Sequence, residues 1–191
     1  MKVKRARKLL ARQLQFQADG VLPVTELEAI YELSFFNIFV AFENELVELM
    51  KTNLIMAHDS KGRIRSIFAP QNRALAERLL LGNNRYFQLL PVEQMEKIAK
   101  VYLKNGWPFV SLTEVQKASI RQAYAVRNHI AHRSSESKAS FKKKVLNFAN
   151  LPRSSTSPGY YLRNKMTISV TYFDHQVAQI GSCLKQIADA S

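Results

Sequence analysis

The chain has one cysteine, Cys183, one tryptophan, Trp107, and only six glycines and six prolines in 191 residues. A single cysteine excludes an internal disulfide framework and a cysteine-based zinc site. Cys183 falls in a helical pattern, where a buried structural thiol is expected. Scarce Gly and Pro argue against a turn-rich all-β fold. Acidic residues are also scarce, 15 against 28 Lys and Arg, so the formal charge is +13 and the pI near 10.0. Long apolar runs are missing too. The richest, Phe35 to Phe42, is broken by Asn37 and falls far short of the roughly 20 residues of a membrane span. No apolar signal core follows the basic N-terminus. A cytoplasmic protein with no membrane partner is expected. The 47% hydrophobic content excludes a disordered chain.

The positive charge is concentrated. Residues 1–20 carry six Lys/Arg against Asp19, and residues 133–165 carry eight against Glu136, leaving the rest nearly neutral. Basic stretches of this kind attract phosphate backbones and speed encounter, so a nucleic acid is the expected partner, ahead of tails that merely aid solubility or touch anionic surfaces.

The pattern predicts a mainly α protein: a basic arm over 1–24, then one helical domain over 25–191. Residues 1–17 can form a basic amphipathic helix. Thr25 with Glu28 reads as a capping box opening a helix to about Asn53. Its middle is apolar almost all round, which suits a central helix or one shared with a second subunit. Ile64 to Phe68 reads as a short strand. Helices are expected over Pro70–Leu81, stopped by Gly82, and over Pro91–Lys104. Trp107 is expected to plug a helix junction. Ser111 to Glu114 reads as a second capping box, opening a helix to about Arg133. Residues 134–140 read as a polar link and Phe141–Phe148 as a short basic helical piece. Residues 150–164 read as a loop and Met166–Tyr172 as a strand. Asp174 is the expected N-cap of a closing helix that faces Val177, Ile180, Leu184 and Ile187 inward.

Residues 127–132 read Arg-Asn-His-Ile-Ala-His at the end of a predicted helix. Arginine is a permanent phosphate binder, and histidine exchanges protons near neutral pH. Arg127 lies in an otherwise apolar row with Ile120, Ala123, Tyr124 and Ile130. Such a guanidinium must be paired or open onto a wet cleft. Arg127 and His132 differ by about 140° in azimuth and so flank a groove edge, while Asn128 can share the face of His132 and orient its ring. These groups suit metal-free attack of a ribose 2′-OH on the adjacent phosphorus. His132 would move a proton and Arg127 would stabilise the transition-state charge. One histidine does not easily serve as both base and acid, and a twofold dimer would supply two. The aromatic 25–53 helix offers such a dimer a place to form. His129 and His132 lack a third ligand for a metal, so no metal or cofactor is expected. His129 is read as a supporting residue. Glu43 either orients Arg127 or is an exposed helix charge. Arg133, Lys142, Lys143 and Lys144 are candidate RNA-phosphate contacts, or a solvated basic face. Tyr160 and Tyr161 can stack on bases or pack on the bundle.

The Arg-Asn-x-x-Ala-His run, and Ala41-Phe42-Glu43 with Leu46 on the opening helix, resemble the signatures of the HEPN superfamily, especially its RiboL-PSP-type group from prokaryotic defence and toxin–antitoxin systems. The resemblance covers roughly residues 26–190. It implies an antiparallel helical bundle, a homodimer with the motif at its interface, and metal-independent endoribonuclease activity. It also implies a cognate antitoxin or defence-system partner. Arg127 and His132 match the motif directly, and Asn128 matches the polar residue that usually follows the arginine. Where Gly often follows the histidine, this chain has Arg133. Many members of the superfamily are non-catalytic, so a non-catalytic RNA-binding or protein-interaction module is the alternative.

Overall fold

A computed structural model describes residues 23–191, except 59–61, 63, 83, 150 and 153–155, together with residues 12, 15, 18 and 20. The expected basic helix over 1–17 lies largely outside the described residues.

The fold is all-α. Among the described residues seven α-helices are formed: α1 (Val24–Ile55), α2 (Arg73–Leu81), α3 (Val92–Tyr102), α4 (Glu114–His132), α5 (Ser135–Lys144), α6 (Pro158–Arg163) and α7 (Tyr172–Asp189). The two expected strands are not formed. Among the described residues there are only isolated antiparallel bridges, His58 with Ile64, Ser66 with Leu103, and Lys165 with Thr171. A short run with no neighbouring strand has nothing to satisfy its backbone. None of the described helices is long and apolar enough to cross a membrane.

The described chain forms two compact units: one of residues up to Val40 with Arg121–Ile180, the other of Ala41–Ile120 with Gly181–Ser191. Helices α1, α4 and α7 contribute residues to both.

The first unit is built on aromatic rings. Helix α1 contains no Gly or Pro, and Leu27, Tyr31, Phe35 and Phe39 recur every fourth residue on its buried stripe. Phe173 of α7 meets Tyr31 edge-on at 5.6 Å and Phe35 at 6.4 Å, and Phe39 meets Tyr124 at 6.4 Å. Each fully buried Phe stabilises the unit by about 1.5–3 kcal/mol. Of the aromatic residues expected to offer a dimer face, Tyr31, Phe35 and Phe39 are therefore spent inside the protomer. What α1 leaves open is a narrower stripe, with Leu33 61% exposed and Phe36 and Val40 half-buried.

The caps are displaced from their expected positions. Helix α1 starts at Val24, and Glu28 forms no capping box; its carboxylate accepts from Arg163 Nε at 2.9 Å and Ser157 Oγ at 3.0 Å. The 134–140 link is helical, because Ser134 Oγ accepts from Ser137 N at 3.1 Å and caps α5. Ser157 likewise caps α6 at Tyr160 N, with Pro158 in its first turn, inside the expected 150–164 loop. Helix α7 starts at Tyr172. Its box is Thr171 with Asp174, so Asp174 is the third residue of the helix and not its cap.

The second unit buries Phe42, Leu46, Met50 and Leu54 of α1 with Met95 and Ala99 of α3, and Cys183 and Ile187 of α7. Lys51 is only 5% exposed. It is held by Glu48 and Glu77, both at 3.3 Å, and lies 4.6 Å from the Phe87 ring centre. Asn72 caps α2 at Leu75 N, and Gly82, at φ 52°, ends it as expected. Thr113 and Gln116 form the box of α4, two residues beyond the expected one. Trp107 does not plug a junction; it is 45% exposed and donates to Ala190 O at 2.8 Å. Cys183 is buried as expected, and desolvation pushes its thiol up to about 11.

Candidate active site and the acid-lined cleft

The C-terminal half of α4 carries the motif. Ala123, Ala125 and Val126 are buried, and they fix which sides of the helix remain accessible. Val126 is fully buried beside Arg127. Arg127 is half-buried. Its Nη1 donates to Asn128 Oδ1 at 3.2 Å, and its guanidinium carbon lies 5.4 Å from the Phe36 ring centre. The cation is thus stacked on an aromatic face, and Asn128 serves the arginine directly. His132 is the last residue of α4 and is exposed. Five residues of helix put it about 7.5 Å along the axis from Arg127. Glu43 is half-buried on α1 and belongs to the other compact unit.

Arg133 ends the helix with φ 48°, the left-handed region. That conformation is the one glycine usually supplies at a helix end, and it costs a side-chain-bearing residue about 1–2 kcal/mol. The Arg133 side chain, 74% exposed, reaches Glu32 of α1 with Nη2 2.8 Å from Oε2. Glu32 Oε1 accepts from Gly159 N at 3.0 Å. A single buried carboxylate therefore ties the ends of α4 and α6 to α1.

His129 lies beside it. The ring stacks on Phe141, with centroids 5.4 Å apart and planes at 29°. Its Nδ1 is 3.1 Å from Ser137 Oγ. The Ser137 hydroxyl donates to Ser134 O at 2.9 Å, so the hydrogen-bond network assigns the imidazole proton to Nδ1 and leaves Nε2 as an acceptor. Burial pulls the His129 pKa below its ordinary 6.5; Glu32 opposes this, and Lys138 and Arg133 reinforce it. Burial therefore favours the neutral ring. A cleft of about 300 Å³ opens here, lined by Glu32, His129, Arg133, Lys138 and Ser157 among others.

Of the candidate residues at the end of α4, four fall into two groups, and His132 is in neither. Arg127 and Asn128 are joined, while His129 and Arg133 line the cleft with Glu32. Lys142 is half-buried in the last turn of α5, and Lys143 and Lys144 are exposed there. Glu32 and Ser157 were not among the residues expected from sequence. The signal available was Glu28 and Glu32, spaced four apart beside Tyr31 and Phe35, which sets two carboxylates against an aromatic face and demands donors for them. Those donors come from Arg133, about 100 positions away, and from residues 157–163, about 130 positions away, where no local pattern announces them.

Among the described residues no three His, Cys, Asp or Glu side chains gather to hold a metal ion. Compared with protein-family models, curated proteins and solved structures, the chain matches none.

Proposed function

We propose that the protein is a metal-independent endoribonuclease that acts as a homodimer in the cytoplasm. Phage defence or a toxin–antitoxin pair is the setting that the resemblance to HEPN proteins suggests, with a cognate antitoxin or other defence protein as partner. The observation that carries this reading is the placement of Arg127 and His132. A half-buried guanidinium, fixed by Asn128 and Phe36, and an exposed imidazole stand on the last two turns of one helix in a strongly basic chain.

In the reaction, the ribose 2′-oxygen forms a bond to the adjacent phosphorus and the bond from phosphorus to the 5′-oxygen breaks. His132 takes the 2′-OH proton, and its copy in the second protomer gives one to the leaving 5′-oxygen. Arg127 stabilises the charge that gathers on the phosphoryl oxygens. The products are a 2′,3′-cyclic phosphate and a 5′-OH. The half-exposed stripe of Leu33, Phe36 and Val40, which includes the ring under Arg127, is the face available for a twofold contact. A protein that sediments as a monomer at micromolar concentration would rule out the paired site.

The test of the chemistry is the identity of the RNA ends made in EDTA. Cyclic phosphate and 5′-hydroxyl ends support the reading; 3′-hydroxyl ends contradict it. One observation favours a second reading, a non-catalytic RNA-binding or protein-interaction module: the Arg127 guanidinium is already engaged by Asn128 and Phe36, as a structural arginine would be.

A further inference from the structure

A second cavity in the first unit has a different character. It holds about 200 Å³, and its lining includes Phe148, Tyr161, Tyr172, His175, Gln122 and Gln176. Four of the nine lining residues carry rings and three more are aliphatic or thioether, with two amides converging between them, the mixture usual in a small-molecule site. Tyr161 and Tyr172 lie 4.6 Å apart with planes at 30°. Tyr161 is anchored from behind by Phe141, edge-on at 5.9 Å.

Two features of the cavity are not explained by packing. The first is Phe148, in the short 3₁₀ turn Leu146–Phe148, which is 76% exposed although its neighbour Leu146 is 1% exposed. A phenylalanine on a cavity rim with its ring in water offers a face for stacking. The second is Gln176, which is 1% exposed. Its Nε2 donates to Tyr161 OH at 3.0 Å, while its Oε1 has no hydrogen-bond partner among the described residues. Turning the amide over would exchange the two atoms and still leave one unsatisfied. Burying such a group without a partner costs about 1–3 kcal/mol, and a ligand group or a bridging water would recover that. The Tyr161 hydroxyl is held in its neutral form, because burial raises its pKa.

The surrounding charge indicates the kind of ligand. Lys142, Lys143 and Lys144 precede the wall residues Val145 and Phe148, and Arg163 and Lys165 follow Tyr161. Lys143, Lys144 and Lys165 are exposed. Aromatic faces beside solvated cations are what a single strand of nucleic acid requires: rings for the bases and charges for the backbone. An amide in the wall suits the edge of a base, which in RNA is readable only when unstacked from its neighbours.

We propose that the cavity of Phe148, Tyr161, Tyr172 and Gln176 is a nucleobase subsite, which takes one unstacked base of a single-stranded RNA while the α5 lysines hold the adjoining phosphates. The inference rests on RNA as the partner, but not on cleavage. The site stands on different residues from Arg127 and His132, so it selects which strand binds and does no chemistry.

The test is binding of a short fluorescent single-stranded oligoribonucleotide to the full-length His132→Ala protein, with and without Phe148→Ala. Phe148 is exposed, so its removal leaves the fold intact, which thermal melting checks. Loss of about tenfold or more in affinity is expected from removing one stacking face. Gln176→Leu, which fills the same space without the amide, should reduce discrimination among the four homopolymers. A fully paired duplex of the same sequence should bind Phe148→Ala and the parent equally. A free nucleoside monophosphate that competes only at millimolar concentration would support a subsite for a polymer; competition at micromolar concentration would instead identify a free-nucleotide site and overturn the proposal. So would unchanged oligonucleotide affinity in the folded Phe148→Ala protein. Absence of RNA cleavage by the wild type, with these binding differences intact, would overturn the nuclease reading alone.

Discussion

At the scale of single residues, His129 and Arg133 show how local strain and burial are accommodated at the end of α4. The His129 pKa is lowered chiefly by burial. A base that binds its proton less tightly when folded favours the unfolded chain as pH falls. Stability is therefore full above the ordinary 6.5. It declines as pH drops below that value and levels off once the folded-state pKa is passed. Urea midpoints measured at about pH 7.5 and pH 5 should differ more for the wild type than for His129→Gln, which cannot titrate. Arg133 gives a second prediction. Its φ of 48° favours glycine, while its ion pair with Glu32, exposed on the arginine side, contributes no more than about 1 kcal/mol. Both Arg133→Gly and Arg133→Ala lose the ion pair, but only glycine relieves the backbone. Arg133→Gly should be the more stable by about 1 kcal/mol in chemical denaturation. The opposite order would show that the left-handed turn is not what limits this helix end.

Among the elements, α6 determines how the first unit closes. A side chain at Gly159 would meet the Glu28 carbonyl oxygen at 2.6 Å, so α6 packs directly on the backbone of α1. Gly181, inside α7, meets nothing within 4 Å. The same substitution should have opposite effects at the two sites. Gly159→Ala should destabilise by about 1–3 kcal/mol, because backbone cannot yield as a side chain does. Gly181→Ala should stabilise by about 0.5–1 kcal/mol through helix propensity. Urea unfolding of both variants checks this.

That contrast also shows what could be read in the sequence. The helix α1 with its apolar middle, the helix α3 and the stop at Gly82 followed from periodicity and local chemistry. Helix α6 did not. Six residues with Pro, Gly and two tyrosines resemble a loop until the carboxylates of Glu28 and Glu32 receive their donors, and those contacts span more than 120 positions. The caps at Ser134 and Thr171 escaped notice for a related reason: each lies beside an equally good candidate, and only tertiary placement decides between them. For the site, Arg127, Asn128 and His132 were legible as a motif. The cleft around Glu32 was not, because it forms only when α1, α4 and α6 come together.

For the whole molecule, charge and chemistry have separate roles. The +13 excess attracts a polyanion from a distance of about a Debye length, and this pull weakens in salt. On the proposed reading, selection of a single strand falls to rings that stack on bases, and cleavage to the guanidinium and imidazole that each protomer supplies. The direct test of that division is the rate at which a single-stranded RNA is cut in EDTA by the wild type, Arg127→Ala and His132→Ala. His132 is exposed, so its loss should leave the fold unchanged while lowering the rate by about a hundredfold or more. Cutting by His132→Ala at the wild-type rate, or a folded wild type that binds RNA and leaves it whole, would contradict the account.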